Sequence, residues 1–245
     1  MKASAVDQQR LLELQHLDSA IDRLAQRRRT LPELAEIAAA DARLAELRSE
    51  VVTAQTEADD IAREQRKLEN DVEQVRTRVT RDRERLDAGK VNNPRELENL
   101  QHEMASLGRR QGDLEDQVLE KMLSREDAQG RADALTAEAT ELTATRDAAV
   151  LRRDAAFAEI DAETAQHAAA RGEIAPQLPD DLLALYEKIR VGNGGVGAAP
   201  LNRGRCEGCM LTISPIDLES IRHAPDDEVV RCEECRRILV RPAAA

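Results

Sequence analysis

Asp87-Ala88-Gly89-Lys90-Val91-Asn92-Asn93-Pro94-Arg95-Glu96 separates two long stretches of helical periodicity. A glycine just past a helix can take the left-handed conformation that closes it, which suits Gly89. Asn93 then suits an N-cap, Pro94 the first helical position and Glu96 the third, approximating a capping box. The decapeptide reads as a stop and restart, with a tip near residues 88–94. Outward from it, residues 8–87 and 95–174 form arms of 80 residues each. Equal arms let one chain pair with itself.

Before the tip, apolar residues follow a 3-4 rhythm through Leu44, Leu47, Val51, Ala54, Ala58 and Ile61, then Leu68, Val72, Val75, Val79 and Leu86, interrupted by Gln65 and Asp82. After it the rhythm returns through Leu97, Leu100, Met104, Leu107, Leu114 and Val118, and later through Ala128, Ala132, Leu135 and Ile160. A seam held this long predicts a coiled coil. The earlier seam, Leu14, Leu17, Ile21, Leu24 and Leu31, slips by one residue near Pro32. That slip predicts a kink near 29–32, with Thr30 and Glu33 forming a capping box around the proline. Outward residues are Arg, Glu, Asp and Gln, with Asp59–Arg63 and Asp127–Arg131 at helical ion-pair spacing.

Composition agrees. Charged residues are 34% and aromatics 1%, with one Tyr, one Phe and no Trp among 245 residues. An ordinary core needs more aromatic area. The net charge of −12 argues against binding phosphate by bulk charge. Lys2 to Arg10 is polar and no apolar run reaches 18 residues, so neither a leader nor a membrane span is expected. The expected location is the cytoplasm.

Pro176 and Pro179 interrupt the second arm, and Asp180 to Ile189 reads as a short helix. Tyr186 is expected to pack where this helix meets the hairpin base or the ribbon. Gly192-Asn193-Gly194-Gly195-Val196-Gly197 lacks the flanking strand and Gly-Lys-Ser/Thr ending of a phosphate loop, and reads as a flexible linker or turn.

Cys206-Glu207-Gly208-Cys209 and Cys232-Glu233-Glu234-Cys235 make a CxxC…CxxC pattern with 22 residues between the pairs. Each CxxC turn presents two thiolates, and two turns complete a tetrahedron. Two disulfides or four free thiols are the competing states; the spacing, with no leader expected, favours zinc. A four-thiolate shell leaves no open position, so the zinc would be structural. Leu211/Ile213, Val229/Val230 and Ile238/Val240 read as short strands, and Pro215–Ile221 as a helix capped by Ser214. His223 reads as an exposed helix-end residue, since four cysteines fill the shell.

The expected fold is an all-α antiparallel coiled-coil hairpin (1–175), a short helix and Gly-rich linker (176–197), and a small C-terminal zinc ribbon with short β-strands (198–245). Asn93, Arg95, Glu96, Leu100 and Glu103 at the hairpin, Leu182, Leu183, Tyr186, Ile189 and Arg190 before the ribbon, and the cysteine pairs with Ile238-Leu239 carry a resemblance. Over essentially its whole length the chain resembles the bacterial coiled-coil proteins with a C-terminal four-cysteine zinc ribbon, described as predicted nucleic-acid-binding. The resemblance implies no enzymatic activity. It implies links to messenger-RNA binding, to chaperoning of an alternative sigma factor and to flagellar or secretion machinery. Glu233, Glu234 and Arg236 depart from the compact second knuckle usual in that family.

Two partner classes follow. For nucleic acid, residues 76–95 hold Arg76, Arg78, Arg81, Arg83, Arg85, Lys90 and Arg95 against three acids, and Arg203, Arg205, Arg231, Arg236, Arg237 and Arg241 lie in the ribbon. Such groups can grip phosphates in a salt-dependent way. Against it, residues 198–245 hold seven basic and eight acidic side chains, and aromatic stacking platforms are missing. The alternative is a protein-binding scaffold or chaperone for a transcription, ribosomal or secretion component, its acidic arms suiting a basic partner. Monomer and homodimer stay open. No nucleophile–base pair, open metal site or phosphate loop supports an enzyme.

Overall fold

The computed structural model describes residues 1–91 and 93–242. Asn92 of the expected tip and residues 243–245 of the expected ribbon lie outside the described residues. Helix α1 spans Ala5–Arg29, α2 Pro32–Asp87 and α3 Pro94–Ile174; a 3-10 turn, Ala175–Gln177, leads to α4, Asp180–Gly192. Strands β1 (Ala198–Asn202) and β2 (Arg205–Cys206), helix α5 (Pro215–His223), and strands β3 (Val230–Arg231) and β4 (Ile238–Val240) complete the chain. Two units result: Glu36–Ala149, and Met1–Ala35 with Val150–Ala245.

Within Glu36–Ala149, α2 and α3 pair antiparallel, as the seam requires. Leu44, Leu47, Ala54, Ala58 and Val72 are buried from one helix, and Leu100, Leu114, Ala128, Ala132 and Ala149 from the other. Cross-helix ion pairs record the direction: Arg43–Glu138 at 3.0 Å, Arg131–Glu57 at 3.1 Å, Lys121–Glu64 at 2.6 Å and Arg76–Glu115 at 2.6 Å. The polar interruptions are buried in the seam. Gln65 donates to Glu69 at 2.7 Å, while Asp82 keeps Oδ2 without a hydrogen-bond partner. Gly89 has φ +62°, and Asn93 Oδ1 accepts from Arg95 N at 3.0 Å. Glu96 does not complete the box; its carboxylate faces Arg85 at 3.4 Å. Asp127 pairs with Arg131 as expected, whereas Arg63 pairs with Asp60 in place of Asp59.

In the other unit, Thr30 caps the end of α1, its hydroxyl donating to Gln26 O at 3.0 Å. The expected Thr30/Glu33 box is therefore replaced by a C-terminal cap, because Thr30 is still held by the helix before the proline. One apolar core joins Leu11 and Leu14 of α1, Leu182, Tyr186 and Ile189 of α4, and Ala198, Ile238 and Val240 of the strands. The four-stranded sheet has order β2-β1-β4-β3, with β1 and β4 parallel and the other pairs antiparallel. Leu211 and Ile213 form no strand; only a Thr212–Arg205 bridge forms there. Ser214 caps α5, with Pro215 in its first turn, as expected. No described helix is long and apolar enough to cross a membrane.

Candidate metal centre and partner surfaces

Cys206 ends β2, and the main chain folds back so that Met210 N donates to Cys206 O at 2.8 Å. The second pair repeats the turn, with Arg236 N donating to Cys232 O at 2.9 Å. Both turns hold the residue after the last cysteine in the left-handed region, φ +63° at Met210 and +62° at Arg236. Glycine adopts this conformation without strain; a side chain there costs about 1–2 kcal/mol. Arg203, at φ +49°, shares the feature.

The turns bring four Sγ atoms within 4.8 Å of one another. Cys206 and Cys235 are 3.8 Å apart, and Cys209 and Cys232 are 3.9 Å apart. A tetrahedron with metal–sulfur bonds of about 2.3 Å has edges of about 3.8 Å. A disulfide needs about 2.05 Å. The donor set therefore fits a closed four-thiolate site. Burial pushes the Cys206 thiol up to about 12 and also raises Cys232. Burial raises Cys235 too, but hydrogen bonds from the main chain and side chain of Arg237, together with those from Cys232 and Cys209, outweigh it and hold that thiol at about 7. A divalent cation offsets the burial of thiolates at the first two positions. His223 lies on the surface beside Glu219 at 3.0 Å and takes no part.

The cations that the sequence offers as candidate partner contacts fall into two groups. At the tip, Arg76, Arg78 and Arg85 pair with Glu115, Glu103 and Glu96 of the facing arm, and Arg81 sits 3.9 Å from its neighbour Asp82. Arg83, Lys90 and Arg95 form no ion pair among the described residues. In the ribbon, Arg203 and Arg205 form none among the described residues, and Arg236 lies 3.9 Å from Glu233. Arg237 turns inward, donating to Val196 O at 3.0 Å and Asn193 O at 2.8 Å.

Sequence reasoning missed a buried polar junction. Asp18 accepts from Arg171 Nε at 2.7 Å and from Tyr186 Oη at 2.7 Å. Arg171 also pairs with Glu187. Gln15 donates to Gly195 O at 3.0 Å and accepts from Gly197 N at 2.7 Å and Ala198 N at 3.2 Å. Of the two readings, a flexible linker or a turn, the Gly-rich segment is thus a turn, pinned by α1. Gly197 is required there, because a Cβ would stand 2.7 Å from Tyr186. Tyr186 itself sits in the base core, as expected.

Comparison with known proteins agrees with this architecture. A family model described as a CT398-like coiled coil hairpin domain matches residues 14–194, and one described as a C4-type zinc ribbon domain matches residues 205–239. An uncharacterized protein of Mycobacterium tuberculosis is 37% identical over 98% of each chain. Among solved structures, a Mycobacterium smegmatis protein is 33% identical, with TM-score 0.86, over 99% of this chain and 100% of that one. CT398 from Chlamydia trachomatis shares the fold at 19% identity and TM-score 0.69, over 96% and 98%. The four cysteines are thus those of a C4 zinc ribbon, with zinc as structural cofactor.

Proposed function

The chain belongs to the CT398-like coiled-coil hairpin family, and from that membership we propose that it acts as a non-enzymatic scaffold for a protein partner. The observation that carries this reading lies on the outer face of α3. Leu119, Met122 and Leu123 are exposed there and line an open groove of about 720 Å³ with Gln129 and Gly130. Glu126 and Asp133 supply acidic groups to the groove, and its one arginine, Arg125, reaches toward Gln65 Oε1 at 3.5 Å. Clustered exposed apolar side chains mark interaction sites in soluble proteins. An apolar floor with acidic flanks suits a basic amphipathic helix, which would lay its apolar stripe along α3.

The cation pattern supports the same choice. Three of the tip arginines are neutralised by acids on the opposite arm, and Arg237 is bonded to main-chain carbonyls. The second reading, nucleic-acid binding, rests on Arg83, Lys90 and Arg95 at the tip and Arg203 and Arg205 in the ribbon. Binding through them would weaken with salt, with a logarithmic slope of about −0.9 per phosphate contacted on a duplex.

One comparison separates the two. The intact chain and a Leu119→Ser/Met122→Ser/Leu123→Ser variant are used to capture partners from nuclease-treated extract. In parallel, wild type and an Arg83→Ala/Lys90→Ala/Arg95→Ala variant are titrated with RNA and DNA at two salt concentrations. The scaffold reading expects a discrete protein captured by wild type and lost from the serine variant. Capture that survives in the serine variant, or salt-sensitive nucleic-acid binding abolished by the tip variant together with no protein capture, overturns it.

A further inference from the structure

Strand β4 has two faces, and they belong to different cores. Ile238 and Val240 pack with Leu11, Leu14 and Tyr186 of the hairpin base, whereas Leu239 packs with Cys206 and Cys232. Its parallel neighbour β1 divides in the same way, Ala198 to the base and Ala199 to the cysteines. Alternation of side chains along a strand makes this division unavoidable: anything that shifts β4 in one core shifts it in the other.

Two further links cross the same boundary. Arg237 separates the second knuckle from β4. Its main-chain carbonyl accepts from Cys232 N at 2.9 Å, and its guanidinium holds the carbonyls of Val196 and Asn193. It also lies against the first knuckle, where a Cβ on Gly208 would meet Arg237 Cδ at 2.7 Å. The N-terminal residues reach the ribbon directly. Ala3 N donates to Asp227 O at 2.8 Å, Val229 N donates to Met1 O at 3.1 Å, and Lys2 pairs with Asp227 at 2.9 Å. Gln8 then donates to Asp226 O at 3.1 Å.

We propose that zinc in the four-cysteine site is the keystone of the hairpin base, so that zinc loss releases the N-terminal residues and α4 as well as the ribbon. The cysteine core is too small to persist without its metal; modules of this size draw their folding free energy from metal binding. When that core disperses, β4 and β1 lose one of their two packing partners. The Ala3–Asp227 and Arg237–Val196 bonds lose their fixed ends. Leu11, Leu14 and Tyr186 are then exposed, giving the base a zinc-dependent apolar surface.

The test uses the full chain, zinc-loaded and after chelation, followed by hydrogen exchange. Tyr186, the only tyrosine in a chain without tryptophan, adds a second signal through its near-UV dichroism. The expected result is at least a tenfold fall in protection over residues 1–14 and 180–198, with loss of the tyrosine signal and its recovery on adding zinc. Peptides within 36–149 should keep their protection. Arg237→Ala, with one zinc retained by metal analysis, should lower protection at residues 193–198 alone. Deprotection confined to residues 205–239 overturns the proposal, and so does loss of protection throughout 36–149. An Arg237→Ala variant as protected at 193–198 as wild type removes the arginine from the coupling.

Discussion

Tyr186 and Asp18 form a demanding pair, a buried phenol donating at 2.7 Å to a buried carboxylate. Burial, and then Asp18 itself, push the ionisation of Tyr186 far above its ordinary value of 10.0. The phenol is neutral in the folded chain and ionises near 10 when unfolded, so its contribution to stability is complete below that pH. It declines as pH rises beyond it. Tyrosinate absorbance should therefore appear together with unfolding, well above pH 10. Tyr186→Phe should lower the unfolding free energy by about 1.5–3 kcal/mol, because a charged group loses a donor. An ordinary titration of the native phenol, or a phenylalanine variant of unchanged stability, contradicts this. Tyr186 was legible in the sequence as a junction residue, being a lone aromatic among leucines at helical spacing. Asp18 was not: an acid beside a helical seam looks like any solvated carboxylate until the second arm delivers Arg171 to it.

Elements were legible in proportion to their length. The long helices announce themselves through many turns of one rhythm, and their break at the tip through Gly89, Asn93 and Pro94. Asn93→Ala should cost about 1 kcal/mol, since the Oδ1 bond to Arg95 N caps α3. Denaturant unfolding that leaves the variant equal to wild type would dismiss the cap. The strands are two to five residues long and were harder to read. β1 acquires its partner β4 from about 40 residues away, a pairing fixed by the cysteine core and the base rather than by local pattern. Leu211 and Ile213 alternate like a strand but find only one bridge. The Thr30 cap went the other way for a similar reason, a threonine serving equally well at either end of a helix.

At the scale of the whole molecule, the metal site was legible in the cysteine spacing alone, because two CxxC turns present four thiolates that complete a tetrahedron. Charge was far less legible. Arg76, Arg78 and Arg85 make a basic run in sequence, yet each meets a glutamate that only antiparallel pairing places there. Arg237 looked like part of a basic face and instead ties the second knuckle to the Gly-rich segment. The four-cysteine metal centre therefore organises the ribbon. X-ray absorption at the zinc edge of the purified chain, with metal analysis, tests it most directly. The predicted result is one zinc per chain bound by four sulfurs at about 2.3 Å. A nitrogen or oxygen ligand in the shell, or cysteines paired as disulfides without zinc, would contradict it.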